Sequence, residues 1–480
     1  MSKGPHLNLY HLGVFLLLAI AIIVTSPDML PNAAIWLVGA AEHLFRLWAL
    51  MPTHVLFAAA VIAFFYYAHR PRPVYLVDYA CFRPITNYRY PKATFLEHAR
   101  LTPSLHDSTV DFIARVIKRS GIGEETCYPP GLRYIPPSFT LDEAHAETNL
   151  VVFSAIDDLL AKTGISLDAI NVLITNCSVF CPVPSIADVV VNRYKLRGSI
   201  RVFNLSGMGC SASVTAVGLA RNLLRVMPPG SYALMASTET SGPVNYYMGN
   251  TPSMQLVNIL FRMGGTAALL SNSKSKARFQ LAHVVRTLTA ADDRAYRCVF
   301  TEEDDDGRLG ATLSKDLMDV AADALKINIT TVAPLVLPLA ELLKVLLFSV
   351  AKKILRRRKI RAYIPDFTLA FKHFCIHVGG PAVISSVQRG LNLSDEQVEP
   401  SRMTLHRFGN QSSASVWYEL AYIEAKGRMH KGDRVWMVGL GAGYTCNTAV
   451  WVCIRPPSEG DAGPWAGCIH RYPIDVSKEG

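Results

Sequence analysis

The sequence predicts an α/β protein made of two duplicated halves and preceded by a transmembrane helical hairpin. Three observations carry this. A strand, glycine turn, helix, strand pattern occurs twice in the 480 residues. Two long apolar runs without Asp, Glu, Lys or Arg open the chain. Half of all residues are hydrophobic and only 18% are charged. That supplies a sizeable core and excludes intrinsic disorder, which needs low hydrophobicity and high charge. The 31 Gly and 28 Pro follow no period, which excludes collagen-like and low-complexity chains.

The hairpin comes first. Leu9 to Ser26 is uncharged, and a second uncharged run covers Leu47 to Ala68. About 20 apolar residues cross a bilayer, so each run is long enough. Pro52 suits a helix start, where its missing N–H costs nothing. Lys3 precedes the first run, Arg70 and Arg72 follow the second, and Asp28, Glu42 and Arg46 lie between. Positive flanks stay cytoplasmic, so both ends are expected in the cytosol. The expected anchor is 1–70, with spans at 9–26 and 50–68.

Lys and Arg number 48 against 38 Asp and Glu, a net +10. Seven cations cluster between Lys352 and Arg361, directly after the apolar run Val332 to Ala351. A basic cluster beside an apolar helix suits a membrane surface, not nucleic acid. Leu335, Leu339, Leu342, Leu343, Leu346 and Val350 follow helical spacing. Two readings of 332–361 stand side by side: a helix lying on anionic lipid, or a helix covering the core with a solvated basic tail. Ten scattered cysteines do not make a disulfide framework, and a reducing compartment is expected. Cys177 and Cys181 lack a second pair at zinc spacing, so no metal site is expected.

In the first α/β unit, Ser199 to Leu205 reads as a strand, Ser206-Gly207-Met208-Gly209-Cys210 as a turn, and the helix that follows runs to Arg225. A strand from Tyr232 to Ser237 completes it. In the second, Met403 to Phe408 reads as a strand, Gly409-Asn410 as the turn, and the helix runs to Lys426. Arg434 to Leu440 is its closing strand. Cys210 at a helix start is a candidate nucleophile, since the helix dipole favours a thiolate there. The competing reading is a buried structural cysteine. His373 and His377 are four apart, but the alternation around them reads as a strand ending at His377. Cys210, His377 and Asn410 form a set that fits papain-like proteolysis or thioester condensation. Ser211 after Cys210 and the duplicated unit suit a papain-like enzyme poorly.

Taken together, several segments resemble the plant 3-ketoacyl-CoA synthases of fatty acid elongation. They include Val74 to Cys81, Lys118 to Thr126, Asn192 to Gly198, Asn204 to Ala212, Phe261 to Gly265, Tyr363 to Phe367, His373 to Gly380 and His406 to Asn410. The resemblance implies a thiolase-like fold with an N-terminal condensing half at 71–362 and a C-terminal half at 363–480. The 33-residue step from His377 to Asn410 is also that of type III polyketide synthases, distant relatives.

The resemblance also implies an acyltransferase that joins malonyl-CoA to a long-chain acyl-CoA. Cys210 would be the nucleophile, His377 and Asn410 the enolate-binding pair, and His373 and His406 two further site histidines. The N–H of Cys210 and one from Gly439 to Gly443 would form the oxyanion hole. Gly439 stands where degradative thiolases carry a second catalytic cysteine, which favours irreversible decarboxylative condensation. No cofactor or metal is implied. Expected partners are membrane lipid, a ketoacyl-CoA reductase, a dehydratase, an enoyl-CoA reductase and a second copy in a homodimer, with no nucleic acid. The expected location is the endoplasmic reticulum membrane, multi-pass, with the catalytic domain in the cytosol. Three positions depart from the family's usual residues: Leu288 for His, Ser213 for Gly and Pro252 for Arg. The alternative is therefore a catalytically impaired member acting as a scaffold or modulator of an elongase complex.

Overall fold

The structure, a computed structural model, describes residues 53–68, 72–240, 242, 246–354, 363–457 and 463–475. Two compact units are present, Met1–Pro71 and Arg72–Gly480. In the first, Thr53–Ala68 is a 16-residue helix, and the expected span 9–26 lies outside the described residues. Among the described residues, no helix is long and apolar enough to cross a membrane.

The second unit is organised by one nine-stranded sheet. Its strands are β1 (Val74–Cys81), β2 (Ile170–Asn176), β3 (Arg201–Leu205), β4 (Tyr232–Thr238), β5 (Gly265–Ser271), β6 (Phe279–Leu288), β9 (His373–Ile376), β10 (Arg434–Gly441) and β11 (Thr445–Cys453). A separate hairpin pairs β7 (Val299–Glu303) with β8 (Leu309–Leu313). The sheet order is β3-β2-β4-β5-β1-β6-β11-β10-β9. From its centre outward this is the same arrangement twice. β1 and β6 meet antiparallel. β5 and β11 flank them antiparallel, β4 and β10 come next, again antiparallel, and β2 and β9 join parallel. By this order β6 opens the second set of strands.

Among the described strands of this sheet, only β3 has no counterpart. The strand expected at Met403–Phe408 is instead the end of a helix, Asp395–Phe408. Ser394 and Gln397 form a capping box at its start, satisfying two otherwise unpaired N–H groups. Val398, Ser401, Leu405 and Phe408 are buried at the three- and four-residue spacing of one helical face. The last six residues alone had hidden that period.

Two helices explain how the halves are joined. Ala212–Val226 packs on β2 and β4 of one half and on β10 and β11 of the other. Ser415–Ala425 is buried at every position from Ser415 to Glu424, as a helix enclosed on all sides must be. Its Glu424 joins an enclosed ion network with Arg278, which also binds Asp78 at 2.6 Å, and accepts the Tyr79 hydroxyl at 2.6 Å. Outside the sheet, Leu141–Thr163 covers β1, β4 and β5, and Leu317–Val336 covers β6 and β11. Parallel strands β2, β3 and β4 of one half and β9 and β10 of the other thus send their carboxyl ends towards one crevice, the usual ligand position in open α/β sheets.

Candidate active site

The nucleophile turn leaves β3 and is tied to the end of β2: the Gly207 N–H donates to the Ser178 carbonyl at 3.2 Å. Gly209 has φ +60°, a conformation that costs glycine little. Any side chain there would also strike the Ala442 backbone nitrogen, at 2.6 Å. Gly441 is needed for the same reason, since a Cβ would come within 2.4 Å of the Met208 carbonyl. The end of β10 therefore touches the turn backbone to backbone, and Gly209–Ser211 forms a short 3-10 turn leading into the helix Ala212–Val226.

Cys210, His377 and Asn410 line one cavity of about 160 Å³. Its lining includes Gly207, Gly209, Leu440 and Ala442. The wall is apolar and comes partly from the β7–β8 hairpin. Val299 pairs with Leu313 and Thr301 with Ala311, and all four line the cavity, because alternate residues share a strand face. Val257, Leu260, Leu317 and Val383 complete it.

His377 leaves the end of β9 with its N–H on the Val438 carbonyl at 3.0 Å. Burial lowers its imidazole pKa to about 4, so the ring is neutral across the physiological range. Its Nδ1 is buried with no hydrogen-bond partner. Asn410 is fixed by its own backbone, which exchanges bonds with Leu260 at 3.0 Å and Arg262 at 2.9 Å. Its Oδ1 accepts the Ser412 N–H at 2.7 Å. That bond fixes the amide's orientation and leaves the NH₂ as its remaining donor.

Two residues of the cavity lining were not foreseen. The Ser412 hydroxyl lies 3.4 Å from the Cys210 sulfur and 2.8 Å from Glu239 Oε2. Glu239 is buried just past β4, and its Oε1 accepts N–H bonds from Ser178 at 3.0 Å and Val179 at 2.9 Å. Burial raises its carboxyl pKa above the usual range. The available signal was an acid at the end of an apolar strand, in Thr238-Glu239-Thr240. The sequence also implied a thiol with a lowered pKa, and here the structure corrects it. Residue 210 as a whole is partly exposed, yet burial of its sulfur pushes the thiol up to about 12 and nearby Glu239 adds to this, while the Ser412 hydroxyl opposes. A single helix start does not outweigh the loss of water.

His373 and His406 are not brought to the cavity. Four strand steps put His373 about 13 Å from His377, at the opposite end of β9, where its Nε2 lies 3.0 Å from Asp433. His406 has Nδ1 3.1 Å from the Tyr472 hydroxyl and packs so closely on Gly123 that a Cβ there would meet its ring at 2.3 Å. Leu288 ends β6 with 67% of its surface exposed, outside the cavity lining. Ser213 accepts the Trp417 indole N–H at 2.7 Å, and Pro252 begins the helix Pro252–Leu260, where proline is favoured. At Gly439 a Cβ would come 3.1 Å from Ser211 Cα, so a side chain there would crowd the nucleophile's helix.

Residues 66–354 match the family model described as FAE1/Type III polyketide synthase-like protein. Residues 370–453 match that of the 3-oxoacyl-[acyl-carrier-protein] synthase III C terminal. The fold and site thus define a condensing enzyme of the thiolase-like class. The chain is 52% identical over 423 residues to 3-ketoacyl-CoA synthase 6 of Arabidopsis thaliana, covering 88% of this chain and 84% of that one. It is 51% identical to 3-ketoacyl-CoA synthase 5 of the same plant, covering 88% and 87%. It belongs to the 3-ketoacyl-CoA synthase family. Among solved structures, 1,3,6,8-tetrahydroxynaphthalene synthase from Streptomyces coelicolor has the same fold, with a TM-score of 0.61 at 18% identity, over 79% of this chain and 99% of that one.

Proposed function

We propose that this protein is the acyltransferase that condenses malonyl-CoA with a long-chain acyl-CoA, giving a 3-oxoacyl-CoA two carbons longer, the first step of very-long-chain fatty acid elongation. The observation that carries this is one cavity lined by Cys210, His377 and Asn410 in a chain half identical to named 3-ketoacyl-CoA synthases.

In the first step the Cys210 sulfur attacks the acyl-CoA thioester. The S–CoA bond breaks, and the thiol proton ends on the departing CoA sulfur. The high thiol pKa makes a free thiolate scarce, so the proton must leave as the sulfur attacks. Neutral His377 and the Ser412 hydroxyl are the groups placed to pass it on. The acyl chain then lies along the apolar wall from Val257 to Leu313. In the second step malonyl-CoA loses carbon dioxide, and the electron pair of the broken C–C bond becomes an enolate. Its oxygen needs donors in a dry site, where such bonds are strongest. The Asn410 NH₂ supplies one and His377 the other. The enolate carbon attacks the Cys210 thioester, the C–S bond breaks, and the thiolate takes a proton from water. His373 and His406 act by packing. Leu288 lies outside the cavity lining, which speaks against an impaired scaffold.

The apolar runs of 1–70 support a reading in which the enzyme is anchored in the endoplasmic reticulum membrane with its catalytic unit in the cytosol. Its products then pass to a reductase, a dehydratase and an enoyl reductase, and a homodimer is the expected assembly. Microsomes from yeast expressing the full chain test the reaction. They should release one carbon dioxide for each 3-oxoacyl-CoA formed from long-chain acyl-CoA and malonyl-CoA. Carbon dioxide release without a longer product would refute it.

A further inference from the structure

The helix Leu339–Ile354 buries a carboxylate and exposes most of its leucines. Its protein-facing side carries a buried carboxylate beside the half-buried Leu342 and Val345. Glu341, 2% exposed, accepts the Tyr363 hydroxyl at 2.6 Å, the Asp366 N–H at 3.2 Å and the Lys344 ammonium at 2.6 Å. Its outward side is apolar. Leu339, Leu343, Leu346, Leu347 and Val350 are exposed, and Leu335 on the preceding helix continues the line. Their spacing of three and four residues makes one stripe. A soluble helix would present that stripe to the core. Here the buried carboxylate and its two donors outside the helix, Tyr363 and Asp366, hold it outward.

Charge identifies what the stripe meets. Between Glu341 and Asp366 the sequence carries eight Lys and Arg and no Asp or Glu. Two copies meeting through this helix would bring two such cation-rich stretches of sequence into one assembly, since a twofold contact pairs a patch with itself. Anionic lipid headgroups neutralise such a cluster instead. The helix is 16 residues long, about 24 Å, and Glu341 pins one side of it, so it can lie in an interface but not span the bilayer. It is not the substrate door either. Leu317, which lines the cavity, starts the preceding 20-residue helix, and the stripe begins at Leu335 near that helix's other end, about 27 Å along its axis.

We propose that the outward face of Leu339–Ile354 docks on an anionic membrane surface as a contact separate from the anchor expected at 1–70. The test reconstitutes the full chain in vesicles of phosphatidylcholine, with or without a third phosphatidylserine. A photoreactive phenylalanine replaces Leu347 or, as the control, Val226, which is exposed on another helix. Yields are normalised to protein that floats with the vesicles, so a failed anchor registers separately as lost flotation. Position 347 should crosslink to lipid several-fold more in the anionic vesicles, with high salt removing the difference, and position 226 should not. Retained condensation shows that each variant folds. Crosslinks from position 347 to a second protein chain, equal lipid yields at the two positions, or equal yields in neutral and anionic vesicles would overturn the proposal.

Discussion

The turn that carries Cys210 and the turn that carries Asn410 are counterparts, yet they are reached differently. The first leaves a strand, β3, and the second leaves the helix Asp395–Phe408. Both then use a glycine with positive φ, Gly209 at +60° and Gly409 at +74°. Both pass through a short 3-10 turn into a longer helix. What precedes the turn is replaceable; the glycine and the helix start are not, because they aim the side chain. The two groups also differ in chemistry. Cys210 must change protonation to work, and burial opposes that. Asn410 works as a neutral donor, held by two backbone bonds and a third at its Oδ1.

The largest break of the comparison is Cys210→Ser. Condensation should fall to background, since serine is not ionised at neutral pH and is the weaker nucleophile. Elongation by microsomes with unchanged protein level checks it. Asn410→Asp comes next, with condensation reduced about 10²–10³-fold, the cost of losing an oxyanion donor. Ser412→Ala removes the hydroxyl shared by the thiol and Glu239. Acyl transfer to Cys210 should slow by about tenfold, the worth of about one hydrogen bond, while decarboxylation of malonyl-CoA is unchanged. Single-turnover loading separates the two.

Titration sharpens the same contrast. With the thiol raised to about 12, the thiolate fraction grows about tenfold for each pH unit above 7, with no plateau near the ordinary value of about 8.5. Alkylation of the Cys210 peptide, followed by mass spectrometry, should show that slope up to pH of about 9.5. His377 binds its proton only near 4, so condensation should show no acid limb at the usual histidine value of about 6.5. The smallest effect is at Leu288. Leu288→His should leave rate and chain-length profile unchanged, because the residue is exposed and outside the cavity lining.

The parts legible in the sequence were local ones. Gly207, Gly209 and Gly409 mark their turns without knowledge of the fold, and the alternation before His377 marks β9. The repeat was visible through the helices that follow the two turns. Hidden parts depend on distant partners. The helix ending at Phe408 is read from its cap at Ser394, ten or more residues earlier. Glu239 and Ser412 lie 173 residues apart and meet only when β4 and the Asn410 turn converge. The direction of the thiol's shift depends on how much water the fold removes, which no helix-start rule contains. Burial likewise shows His373 and His406 packed away from the cavity, though the motifs around them read as part of the site.

The central claim is that the two turns divide the reaction, Cys210 holding the acyl chain and Asn410 the enolate. Labelled acyl-CoA is added to the reconstituted full chain, the Cys210 peptide is isolated, and malonyl-CoA is then supplied. Wild-type protein and Asn410→Asp should both carry label on Cys210. Only wild type should pass it to 3-oxoacyl-CoA at speed. An Asn410→Asp protein that folds but does not load, or that loads and condenses as fast as wild type, would contradict that division.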